Sequence, residues 1–275
     1  MKPTIAILNR STVLADAAFP PVIAALQKQV SGDFAPYWGK DADLAFVSKA
    51  SQPPPGSWQV VVADTVAVAG ALGYHDFTAQ GMPLGKVGAQ TTMQYGGAWS
   101  VTLGHEVLEM LGDPDIIRAA FVQARAFTAM IFAYEACDAV EDDSLAYDID
   151  GVKMTDFVTQ EWFEPGRTGV PFSFRKSVTK PLSLAPGGYI SVYRVGMGRW
   201  TQITARRNGQ LPGAATLGVL HDESLLDFDL EHVASGATSY SKIPAVGSRR
   251  ERRNRPRHEW FVSAPVYVPV SHGGA

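Results

Sequence analysis

The chain has 275 residues, 46% hydrophobic and 19% charged, with a formal net charge of −3. That balance excludes a disordered chain, and the near-neutral charge gives no reason to expect nucleic acid or an anionic membrane as partner. A single cysteine, Cys137, excludes an intramolecular disulfide and a metal cage built from cysteines.

Residues 4–8 form a short apolar stretch that reads as a buried strand. It is too brief for the core of an export signal, and no stretch approaches the roughly 20 apolar residues of a membrane span. The expectation is a soluble protein without an N-terminal export signal, cytoplasmic by default; an unconventional export route leaves no such mark. Residues 16–30 place Phe19, Val22, Ile23, Leu26 and Val30 at helical spacing, with Pro20 and Pro21 suited to the first turn. Residues 44–47 and 58–63 read as strands separated by a proline-rich loop. Strand, helix, strand, strand predicts an α/β layer with a partly parallel sheet.

Residues 84–92 alternate loosely, as an edge strand would, and His75-Asp76 upstream reads as a loop turn or a substrate contact beside it. Residues 98–111 have the length and composition of a helix, ended by Gly112-Asp113-Pro114. Residues 116–134 fit two readings, since the first half looks helical while 128–137 also suits a strand. From 144 onward short alternating runs at 146–149, 152–158, 189–195, 200–205 and 262–270 predict a β-rich region. The cluster at 249–257 holds six arginines and reads as a surface loop.

The helix over 98–111 is apolar around most of its circumference, yet it carries His105, Glu106 and Glu109. Carboxylates in such a segment are costly unless neutralised, and a metal cation is the strongest neutralising partner. His105 and Glu109, four apart, project from one face, and Glu106 lies about 100° round from His105. Two ligands one turn apart grip a cation, and the neighbouring glutamate takes a proton from the water that the cation polarises.

His105-Glu106-Val107-Leu108-Glu109 resembles the zincin metallopeptidase signature His-Glu-x-x-His, with Glu109 in place of the second histidine. The longer stretch 105–115 is similar to the metzincin pattern, with Gly112 at the turn and Asp115 where the third ligand falls. In the gluzincin branch the third ligand is a glutamate supplied downstream, which points to Glu135 instead. Asp138 would then orient His105 through its second nitrogen. The choice between Asp115 and Glu135 stays open in the sequence.

The resemblance covers about residues 4–140. It implies an α+β fold: a zincin-like N-terminal mixed sheet with helices and an active-site helix (1–143), then a β-rich C-terminal region (144–275) completing the cleft, as two regions or one continuous domain. It implies one divalent metal, Zn2+ in the first place, held by His105, Glu109 and Asp115 or Glu135. Glu106 is the catalytic general base, and the substrate a peptide or protein. The extra carboxylates also suit Mn2+, Fe2+ or Ca2+. Two rival readings are a non-catalytic binding or structural protein on the same scaffold, and a dimetal enzyme using Glu106, Glu109, Glu135 and Asp138. Dimetal carboxylate sites usually sit in four-helix bundles, which the strand-like second half argues against. Oligomeric state is not legible.

Overall fold

The computed structural model describes residues 2–67, 71–125, 128–197 and 199–205. The strand expected at 262–270, the arginine cluster and His221, His232, His258 and His272 lie outside the described residues.

Strand β1 (Thr4–Asn9) is an interior strand of a five-stranded sheet, its Ile5 and Ile7 fully buried. Helix α1 (Phe19–Lys28) begins with its prolines in the first turn, where a missing N–H costs nothing. The helical course continues past residue 30 as a π-helical turn, Gln29–Phe34, then α2 (Ala35–Trp38), and stops at left-handed Gly39. Pro36 has no N–H to give, and the helix widens just before it. Phe34 stacks on Trp38 with ring centroids 5.2 Å apart, and Trp38 Nε1 donates to the carbonyl of Val158.

Strands β2 (Asp43–Val47), β3 (Trp58–Ala63), β4 (Gly73–Phe77) and β5 (Pro83–Gly88) complete the sheet in the order β2-β1-β3-β5-β4. All neighbours are parallel except β4, which runs antiparallel to β5. The edge strand is therefore β4 and not the 84–92 segment. β5 is interior and ends at Gly88, where α3 (Ala89–Gln94) begins. His75 lies in that edge strand and not in a loop turn.

Helix α4 (Trp99–Gly112) crosses β3, β5 and β4. The helical reading of 116–125 is incorrect: β6 (Ala119–Arg125) and β7 (Thr128–Ala133) form an antiparallel hairpin. The short apolar run suits either period, and pairing across the hairpin decides it. Strands β8 (Tyr147–Ile149) and β9 (Val152–Met154) make a small ladder. Strands β10 (Tyr189–Arg194) and β11 (Arg199–Thr204) extend the hairpin into an antiparallel sheet ordered β11-β10-β7-β6.

The class is α+β, with a mixed sheet and an antiparallel one. One contiguous core joins them, with Ile5, Leu26, Leu103 and Leu108 from the first part and Phe132, Val192 and Ile203 from the second. No helix among the described residues is long and apolar enough to cross a membrane.

Candidate metal centre

Three separated pieces of chain converge at one place. Helix α4 supplies His105, Glu106 and Glu109, the last two buried at 4% exposure. Glycines let the helix come close: Gly85 of β5 has its missing Cβ 3.6 Å from the Glu106 Cβ. Gly73 of β4 leaves the space that the Glu106 carboxylate fills, since a Cβ there would stand 3.0 Å from Glu106 Cδ and Cγ and nearer still to Oε1.

The edge strand supplies His75, also buried, with Nδ1 3.6 Å from Glu106 Oε2 and 3.6 Å from Glu109 Oε2. The third piece follows β7. Here Glu135, Cys137 and Asp138 are buried, and Asp138 opens a short 3-10 turn, Asp138–Val140. Its backbone is pinned by Val158 N–H donating to the Ala136 carbonyl and Ala185 N–H donating to the Ala139 carbonyl. Tyr134, beside Glu135, packs on Phe163 and Trp38, with ring centroids 4.2 and 5.2 Å away.

At the centre, His105 Nε2 is 3.3 Å from Glu109 Oε1 and 3.3 Å from Asp138 Oδ1. Asp138 thus meets the same nitrogen as Glu109 and not the second nitrogen, which places it as a candidate ligand. The Cys137 N–H donates to Glu109 Oε1, fixing that carboxylate. Three sets offer ligand atoms within 4.8 Å of one another: His105, Glu109 and Cys137; His75, Glu109 and Glu135; His105, Asp138 and Glu141. Asp115 is exposed in the turn after α4 and belongs to none of the three. Asp113 is buried instead, its carboxylate accepting the N–H groups of Ile117 and Arg118.

The electrostatics follow from burial. Desolvation works against a charged His105, but the negative charge of Glu109 and the contacts with Asp138 and Glu109 outweigh it, so its pKa stands well above the ordinary histidine value. Burial and the Glu109 charge push Asp138 up to about 6, against the pull of His105 and a hydrogen bond with Tyr189. Burial likewise raises the Cys137 thiol well above its usual range, although His105 opposes the rise. The Tyr189 phenol is raised by burial, then by Asp138 and Glu141.

His75, Cys137, Glu141 and Tyr189 join a cluster in which the sequence had identified His105, Glu106, Glu109, Glu135 and Asp138. In the sequence, His75 reads as part of a loop turn or as a substrate contact. Cys137 and Glu141 had no signal beyond proximity to Asp138.

Imidazole, carboxylate and thiol atoms at these spacings are donors that suit a divalent cation, and neutralisation relieves the cost of burying the acids. No family model matches the chain, and neither a curated protein nor a solved structure is found to be similar to it.

Proposed function

We propose that the chain is a metal-dependent hydrolase with a zincin-like site, acting on a peptide or related amide bond. The observation that carries this reading is the convergence of Glu109 and Asp138 on His105 Nε2, each at 3.3 Å, in a buried cluster. The order of parts supports it as well: a mostly parallel sheet, an antiparallel edge strand, then the helix bearing the site residues.

In this reading His105, Glu109 and Asp138 hold one divalent cation, Zn2+ before Mn2+, Fe2+ or Ca2+, with Cys137 and Glu141 close by. When bound, the cation supplies Lewis acidity toward a substrate oxygen and acidifies water. Glu106, held against Gly73 and facing His75, is the general base and passes its proton to the leaving group. Cys137 orients Glu109 through its backbone N–H, and Tyr189 steadies Asp138.

Hydrolysis of casein and of a mixed fluorogenic peptide library by the full chain tests the reading. Activity should require metal, vanish with a chelator, and fall by about 10²–10⁴-fold in Glu106→Gln with metal content unchanged. Chelator-insensitive activity, or full activity in that variant, refutes the mechanism.

A further inference from the structure

We propose that the cluster is a dinuclear metal centre in which Glu109 is the shared ligand and His75 creates the second position. The proposal rests on the metal reading at His105 given above and extends it from one cation to two.

The two oxygens of Glu109 face different histidines. Oε1 lies 3.3 Å from His105 Nε2, and Oε2 lies 3.6 Å from His75 Nδ1. Each side carries further acids of its own: Asp138 and Glu141 group with His105, and Glu135 groups with His75 and Glu109. Two ligand sets, His105 with Glu109 and Cys137 and His75 with Glu109 and Glu135, therefore meet at one carboxylate. A bridging carboxylate of this kind spans the roughly 3.5–4 Å between ions in two-metal hydrolytic sites.

Charge points the same way. Glu106, Glu109, Glu135 and Asp138 are each at most 5% exposed, and half-buried Glu141 adjoins them. One divalent cation offsets two of those five potential negative charges, whereas two cations offset four. Buried acids without such compensation carry a heavy desolvation cost.

His75 is also placed as a ligand would be. It comes from the edge strand, it is 6% exposed, and the same nitrogen faces two carboxylates at equal distance. Glu106 Oε2 lies at the margin of this second set, beside the His75 nitrogen. A base there would be placed beside either ion.

The test uses the full chain, stripped with chelator, titrated with Mn2+ and desalted. Bound metal is counted by elemental analysis, and the ions are observed by electron paramagnetic resonance. The expected result is two Mn2+ per chain with an exchange-coupled spectrum. His75→Ala should lose one of the two and give the spectrum of an isolated ion. If circular dichroism shows that His75→Ala does not fold, Glu135→Gln replaces it, and the wild-type count and coupling stand by themselves. A single Mn2+ in the wild type overturns this proposal alone and leaves the one-metal hydrolase intact. Two uncoupled ions, or two ions retained in the variant, also overturn it. No bound Mn2+, together with no bound Zn2+ in a parallel titration, removes both readings.

Discussion

Gly73→Ala probes how the Glu106 carboxylate is held. A Cβ at Gly73 would stand 3.0 Å from both Glu106 Cδ and Cγ, tighter than an ordinary contact of 3.4 Å or more, and closer again to Oε1. The carboxylate must retreat by roughly 0.5–1 Å, on the scale at which a misplaced group loses about 10²-fold in rate. Overpacking a buried site costs about 1–3 kcal/mol, or a few degrees in Tm per kcal/mol for a chain of this size. The same change in a Glu106→Ala background meets no carboxylate. There it should be neutral or stabilising by about 0.4–1 kcal/mol, because alanine narrows the unfolded ensemble. Urea unfolding of wild type, both single variants and the double variant gives the coupling energy directly. A coupling near 1–3 kcal/mol is expected, together with a ~10²-fold loss of hydrolysis in Gly73→Ala at unchanged metal content. Equal costs of Gly73→Ala in both backgrounds would refute the account of how Glu106 is positioned.

Other perturbations test the frame around the site. Trp38→Ala removes the ring that packs on Phe34 and Tyr134 and donates to Val158, and should cost about 3–5 kcal/mol in urea unfolding. Gly188→Ala would drive a Cβ into the Ala139 carbonyl, where nothing flexible can yield; a cost near 3 kcal/mol and weakened metal retention are expected, measured by unfolding and elemental analysis. Asp64 is held at about 2, below the ordinary 3.8, chiefly by hydrogen bonds from Ser11 and Thr12. Its contribution is complete above 3.8 and is lost as pH falls toward 2, so Asp64→Ala should flatten the acid limb of the stability curve. An unchanged acid limb would count against that assignment.

The helix bearing the site was legible because a sharp chemical contrast marks it. His105, Glu106 and Glu109 stand in an apolar run, and Gly112 and Pro114 bracket its end. β1 and β3 were legible for the opposite reason, as continuous apolar runs that only a sheet interior accommodates. β6 was not, because its identity is decided by partners across the hairpin: Phe121 faces Ile131 and Ala120 faces Phe132. His75 escaped for a related reason. A lone histidine on a strand has no neighbour at ligand spacing, and its relation to Glu109 exists only once β4 lies antiparallel at the sheet edge. Asp115 shows the converse. It stands at a sequence spacing that fits a known pattern, but Pro114 and the Asp113 cap turn the chain so that it faces solvent. Asp138 was singled out in the sequence, while the nitrogen it faces comes from geometry.

The candidate ligand atoms come from a strand, a helix and a post-hairpin turn spread over residues 75 to 141, so no local segment can assemble them. If the proposed cation binds there, its capture would follow folding. On that reading, the metal-free chain would rely on the apolar core for its architecture. Loss of grip becomes an early sign of damage: any opening of the turn at 138–140 should release the ion before the sheets separate. On the metal reading, ion release would gauge local breathing in this molecule.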